Sequence, residues 1–562
     1  MKKMCGLVAA FGLLLVAPVL AEDVDLHVIH RIKMEAFHRS QVMDYVFLLT
    51  DLNGPRLSGS PGHHKAADAA AKAMRDIGIR DASVVPWGKF GRSWSYRGIS
   101  VRMLSPTETS LSGVPMAWSH GTDGPVRGDV VLAPLFADPD HPDLDDLEKI
   151  ARRIVEYRHE YSGKLRDKIV MVEPARKFSL PTEPSVKRFD DTELDELYIA
   201  EAPGTYEPIS WPHWRFSRDP EERARRWRAT PVEIKSEFWE RELAVNDRFY
   251  QFLADEGVAA VLLVDDRGDG GAIFSDSYGS WHPGAPVPPP TVTLSPEQYN
   301  RIARLLARDV AVELEVDIEA KFHAENVDGR NVIASIAGGK RRNELVMLGG
   351  HLDSWHAATG ATDNASGCAI VMEAMRILTA LDLKMDRTVR MALWDGEEQN
   401  YYGSRAYVRA NFGDPVSMEL KPDHARLSAY YNIDNGSGKI RGVYLQSNDM
   451  VRPIFEAWLA PFADQGVTNI TIRETFGTDH LIFDAVGLPG FQFVQDPLEY
   501  QSRTHHSDLD TVDHLQPGDL MQAAAVLASV VYHTANRDEL MPRKPLPRPL
   551  PEKKPVPEIL EY

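Results

Sequence analysis

Residues 351–367 read HLDSWHAATGATDNASG and carry the densest set of groups able to do chemistry. His351 and Asp353 are spaced i, i+2, which in a strand points both side chains the same way. A carboxylate beside a histidine can fix its tautomer and raise its basicity, as a metal-ligating imidazole needs. Asp363 follows in a loop of small residues, with Asn364, Ser366 and Gly367 behind it. Three further sets of chemically capable residues lie downstream: Glu397-Glu398, Asp434 and His505-His506. Nitrogen and oxygen donors without cysteine suit zinc. A single catalytic zinc takes about three protein ligands and a water. Five ligands with one bridging carboxylate fit two ions about 3.5–4 Å apart. In a glutamate pair one member can ligate while its neighbour takes a proton from the attacking water. Taken singly, each acid reads equally well as a solvated loop carboxylate, and Asp363 and Ser366 as caps of the next helix.

The elements that would position these groups follow from hydrophobic patterning. NELVMLGG, just before His351, is an apolar run ending in two glycines and predicts a buried parallel strand. RNVIASIAG, TVRMALW, LSAYYNI and the GFQFVQ segment read the same way. Between and after them CAIVMEAMRILTAL, YYGSRAYVRANF, PIFEAWLAPFADQG and PGDLMQAAAVLASVVYHTANRDEL have helical periodicity. Alternating strands and helices imply a mostly parallel mixed sheet with helices on both faces. His351, Glu397-Glu398 and Asp434 then fall at carboxyl ends of strands, where open α/β sheets place their sites.

At 562 residues the chain is too long for one compact core, and two domains are expected. The net charge of −19 argues against a nucleic-acid or anionic-membrane partner. Residues 1–21 read as a secretory signal peptide: Lys2 and Lys3, an apolar run too short to span a bilayer, and a small-x-small site ending at Ala21. A periplasmic or secreted protein is therefore expected, with no membrane partner after cleavage. Removal of Cys5 leaves Cys368 without an intramolecular disulfide partner. HRIKMEAFHRSQVMDYVFLLTDLNG opens the mature chain as amphipathic helix. His63 and His64 sit at the start of an alanine-rich helix, a site expected to be exposed and so a poor place for ligands. Residues 108–322 have short strand-like runs, proline-rich loops and an arginine cluster at Arg223, Arg225, Arg226 and Arg228, read as a solvated helix face or a carboxylate-binding patch. They read as an inserted, mostly β domain between 22–107 and 323–540. The Pro-rich tail, 541–562, should be extended or disordered.

The ordered set HLD, GATDNASG, WDGEEQ, NID and HHSDLDT resembles the co-catalytic di-zinc exopeptidases of the leucyl aminopeptidase, glutamate carboxypeptidase and carboxypeptidase Q type. HLDSW, LWDGEEQ, FGTDHLIF, GLPG and the late HHS look most like the carboxypeptidase Q branch. The resemblance implies a zinc exopeptidase fold whose insert is a protease-associated domain. It implies that His351 and Asp434 bind one zinc, Glu398 and His506 the other, and that Asp363 bridges them. Glu397 would be the general base and Asp353 the carboxylate beside His351. His506 rather than His505 is implied because the family's ligand lies four residues before the Asp of D-T, here Asp510. His505 stands where some relatives carry an intermediate-stabilising tyrosine; it either substitutes or packs. The family also implies a cis peptide after the bridging aspartate. Short peptides are the expected substrates, and a homodimer the expected protein partner. Whether the amino or the carboxyl terminus is recognised stays open. Rival readings are a related di-zinc amidohydrolase acting on acylated amino acids, a one-zinc glutaminyl cyclase, and a receptor-like relative that has lost catalysis.

Overall fold

The computed structural model describes residues 22–138, 141, 146–179, 182–201, 226, 229–276, 279–553 and 559. The signal segment with Cys5, three of the four clustered arginines (Arg223, Arg225 and Arg228) and most of the last nine residues lie outside the described residues.

The second half of the chain is built on Arg341–His351, whose last six residues are buried. Apolar on both faces, it can only lie inside a sheet covered on both sides. It is flanked by Arg387–Trp394 and Leu427–Asn432, both parallel to it, and the second is parallel in turn to Gly490–Gln495. Ile440–Tyr444 and Asn469–Thr471 extend that edge, while Glu313–Ile336 runs antiparallel to Arg387–Trp394 on the other side. The strands expected from sequence are these strands.

Helices Ser366–Ala380 and Pro517–Asn536 cover one face together with the first three helices, Leu26–His38, Val42–Leu49 and Pro61–Asp76. Ser366–Ala380 is buried almost throughout, so its apolar residues run all round rather than along one stripe. Tyr402–Asn411 and His480–Asp484 cover the opposite face. The opening amphipathic stretch is two helices rather than one. The first ends where Arg39 donates back to the Glu35 carbonyl, and the amide of Gln41 turns instead to the buried carboxylate of Glu373.

The segment between the two halves differs from the mostly β expectation. Its strands are short, between three and seven residues for Val126–Leu132, Ile169–Met171, Ala260–Leu263 and Thr291–Leu294. They pair parallel in that order. Helices Leu147–Tyr161 and Val232–Glu256 pack on one face and Pro296–Leu306 on the other. This is an α/β layer: parallel neighbours need crossover connections, and helices supply them. The longest of these helices, Val232–Glu256, runs 25 residues. Residues 83–105 and 313–336 join the two parts as a long antiparallel pair of strands, 23 and 24 residues long. The tail lacks helix or strand over its described residues up to 553, yet it is anchored: Arg543 donates to the carbonyls of His424 and Leu427, and Leu550 N–H to Val416. Among the described residues no helix is long and apolar enough to cross a membrane.

One buried cation fixes the loop on which the site depends. The Arg56 guanidinium, wholly buried, donates to the carbonyls of Leu352 (2.6 Å), Leu49 (2.9 Å), Thr359 (2.7 Å) and Gly360 (2.9 Å). Four main-chain acceptors are thereby paired, the Gly360 carbonyl also taking the Ala365 amide, and both ends of the 352–360 loop are tied to the N-terminal helices. Arg56→Met is expected to shift the urea-unfolding midpoint down by the equivalent of about 3 kcal/mol or more, since each buried acceptor left unpaired costs roughly 1–3 kcal/mol. An unchanged midpoint would show that the loop is held by other contacts.

Candidate metal centre

The candidate residues arrive at one edge of the sheet. His351 is the last residue of its strand and lies in register with Trp394, the last residue of the next strand. Glu397 and Glu398 follow Trp394 by three and four residues, and Asp434 follows Asn432, the end of the strand on the other side. His505 and His506 come from the loop after Gly490–Gln495.

Asp363 joins the two sides. Its Oδ1 lies 3.2 Å from His351 Nε2, which is also 3.3 Å from Asp434 Oδ1. Its Oδ2 lies 3.2 Å from His506 Nε2, which is 3.0 Å from Glu398 Oε2. The donor atoms of His351, Asp363 and Asp434 fall within 4.8 Å of one another, and so do those of Asp363, His505 and His506. His505 Nε2 is farther off, 3.8 Å from Asp363 Oδ2, and its ring stacks on His506 and leans on Tyr500. His506 Nε2 therefore faces two carboxylates and His505 Nε2 only one.

The donor set fits metal ions. Asp363 Oδ2 and Glu398 Oε1 are buried with no hydrogen-bond partner among the described residues. Five carboxylates, on Asp353, Asp363, Glu397, Glu398 and Asp434, crowd around His351 and His506, an arrangement that cations, not protein dipoles, would neutralise. The strain shows in the titration of Glu397: burial first, then the charges of Asp434, Asp479 and Glu398, push its carboxyl well above the usual range, against the pull of His351.

The Asp363 loop is seated by its neighbours. Asp510 accepts the amide N–H groups of Thr362 (2.5 Å) and Asp363 (3.1 Å). Burial and the nearby Asp363 raise the Asp510 carboxyl to about 7. Asn364 donates to the Ile433 carbonyl and accepts the amide of Gly367. At Gly367 a Cβ would lie 2.2 Å from Asn364 Oδ1 and 2.4 Å from the Ile433 carbonyl, so only glycine lets the helix start dock here. The Asp363–Asn364 peptide is cis, as the family resemblance implied. Asp363 and Ser366 do not cap the following helix through their side chains.

Asp353 plays a different part from the expected one. His351 Nδ1 is hydrogen-bonded to the main-chain carbonyl of Asp353 at 3.0 Å, while the carboxylate stands 3.6 Å away. That carboxylate accepts instead the amides of Glu397 (3.3 Å) and Glu398 (3.2 Å) and the Ser58 hydroxyl (3.0 Å). Asp353 thus orders the paired-glutamate turn, and the histidine tautomer is fixed by backbone. His63, expected at an exposed helix start, is wholly buried with Nε2 3.3 Å from Asp395 Oδ1. Burial lowers it to about 4, so it is a neutral core imidazole.

Sequence reasoning missed Asp276. It lies in the intervening segment, and its Oδ1 is 3.0 Å from His506 Nδ1. Nothing in the run around it, AIFSDSYG, signals a role, because the partner is 230 positions away. Asp510 and Arg56 were also missed as site-forming groups. Asp510 had been used only as a spacing landmark, and Arg56 stood unremarked in the Gly54-Pro55 turn.

The histidine–carboxylate cluster lies across the carboxyl edge of the parallel sheet and has the donors to hold metal ions. Residues 331–531 match the family Peptidase family M28. Carboxypeptidase Q of Bos taurus is 30% identical over 254 residues, 45% of this chain and 51% of that protein. Probable leucine aminopeptidase 2 of Arthroderma benhamiae is 27% identical over 285 residues, covering 46% and 54%. The match thus spans about half the length of these curated relatives. Among solved structures, a peptidase M28 precursor from Shewanella amazonensis superposes with a TM-score of 0.62 at 22% identity, covering 93% of this chain and 98% of that one. BSAP, a zinc aminopeptidase from Bacillus subtilis, superposes with a TM-score of 0.51 at 16% identity, covering 88% and 95%. At these identities the superpositions establish the fold.

Proposed function

We propose that this chain is a periplasmic or secreted di-zinc exopeptidase that hydrolyses short peptides. The observation that carries the reading is the Asp363 carboxylate, which turns one oxygen to His351 and the other to His506. One zinc would be held by His351, Asp363 and Asp434, the other by Asp363, Glu398 and His506. When bound, the ions supply Lewis-acid polarisation of the scissile carbonyl and acidify the attacking water.

The protein's own residues do the rest. Glu397 is the adjacent carboxylate left over by the ligand set, and it is 8% exposed, so a proton it takes stays in the site. It accepts the proton of the attacking water as the oxygen bonds to the carbonyl carbon, and delivers that proton to the amine as the C–N bond breaks. Asp353, by accepting both glutamate amides, keeps base and ligand in one fixed turn. His505, partly exposed and beside Asp363, stands where a substrate oxygen could be met. The leader read in residues 1–21 supports export, and the net charge of −19 supports a partner other than nucleic acid. Secreted peptide turnover by a homodimer is the corresponding biological unit.

Elemental analysis of the zinc-resupplied full chain is expected to give two zinc ions per chain; at most one tightly held ion would sink the two-ion reading. The adjacent glutamates should fail differently. Glu398→Gln is expected to lose zinc and peptidase activity together. Glu397→Gln keeps the metal, and kcat on unblocked dipeptides falls by about 10²–10⁴-fold, the usual cost of a lost general base. KM should change less, because proton transfer is felt in the transition state. Near-normal turnover in Glu397→Gln would refute the mechanism, and metal loss from that variant but not from Glu398→Gln would reverse the two roles.

A further inference from the structure

The segment between the two catalytic halves reaches into the metal centre. Residues 273–276 lie along residues 506–508: Phe274 and Ser507 form an antiparallel bridge, and Ser275 N–H donates to the His506 carbonyl at 3.0 Å. The amides complete the register. Asp508 N–H donates to the Ile273 carbonyl at 3.0 Å, and Ile273 N–H to Asp508 Oδ1 at 2.9 Å. This short pairing delivers Asp276 to the far side of the His506 ring. Oδ1 of Asp276 and Nδ1 of His506 stand 3.0 Å apart. They sit off the line of a well-formed hydrogen bond, and neither atom has another hydrogen-bond partner among the described residues. The other ring nitrogen, Nε2, faces Asp363 and Glu398.

Asp276 is itself held. Its Oδ2 lies 3.2 Å from Arg267 Nη2, and Arg267 also grips Asp265 through Nε (3.0 Å) and Nη2 (2.9 Å). The Arg267 guanidinium rests over the Phe274 ring at 4.7 Å. A row Asp265, Arg267, Asp276, His506 therefore runs from the inserted segment to a ligand position. A carboxylate on the distal nitrogen of a ligating imidazole fixes the tautomer that leaves the other lone pair free, and raises its basicity.

We propose that Asp276 is a positioning residue for His506, holding the proton on Nδ1 so that Nε2 is presented to Asp363 and Glu398, and that the inserted segment thereby completes the metal centre. This rests on the ligand set proposed above, and it makes the insert a part of the site, beyond any role as a cover for it.

The test is zinc competition with a chromogenic chelator on the full chain. Asp276→Ala is expected to weaken one of the two zinc ions by about 10–100-fold, the usual effect of removing a partner behind a ligand. Asp276→Asn, whose amide oxygen can still accept the Nδ1 proton, should restore most of that loss. His506→Ala should release the same ion. If Asp276→Ala holds both ions as tightly as the unmodified protein while His506→Ala loses one, the Asp276 role is overturned and the ligand set stands. If His506→Ala keeps both ions, the ligand set itself fails. A second measurement needs no variant at Asp276: in the ¹⁵N imidazole spectrum of the zinc-loaded protein, the resonance lost in His506→Gln should be that of an Nδ1–H ring. A proton on Nε2 would overturn the proposal.

Discussion

The structure turns on one carboxylate. Asp363 is 4% exposed, and its two oxygens face histidines that arrive from opposite sides of the sheet edge. To stay there ionised it needs cations beside it and a loop that cannot drift. Asp510 clamps the loop's amides, Asn364 pins it to the end of the neighbouring strand, and Gly367 permits the close approach. Behind these, Arg56 spends its donors on loop carbonyls and makes no ion pair. Each contact is ordinary in strength. Together they leave the carboxylate one position.

The parallel sheet explains why the remaining groups converge. Neighbouring parallel strands end at the same edge, so residues just past those ends meet although 40 to 150 positions separate them in the chain. His351 pairs with Trp394 in register, and the turn after Trp394 is fastened back to Asp353. The paired glutamates are thus presented by backbone hydrogen bonds to a carboxylate that belongs to the preceding strand.

The intervening segment is bound into this arrangement at two places. Residues 273–276 pair with the His506 loop. Helix Val232–Glu256 lies beside the turn that follows the glutamates: Glu233 pairs with Arg405, Ser236 bonds Asn400, and Glu240 accepts the Tyr402 hydroxyl. Three polar groups near the start of this helix thus face the turn after the glutamates.

Much of this was legible in the sequence, and for local reasons. Strand identity follows from unbroken apolar runs, helix identity from period, and the ligand types and the glutamate pair from composition at predicted strand ends. Those properties belong to contiguous residues and survive translation into structure. What the sequence left open depended on partners distant in the chain. Asp353 sits beside His351 in sequence, yet its carboxylate serves the glutamate turn, because the strand end lets the nearer backbone carbonyl reach the ring first. His63 looked exposed, but Asp395 and the packed sheet enclose it. The insert read as mostly β because its strand runs are short and lie among proline-rich loops, while the parallel pairing that makes it an α/β layer joins strands far apart in the chain. Asp276 carried no signal at all: a carboxylate acquires its meaning from the atom it faces, and only the folded chain decides which atom that is.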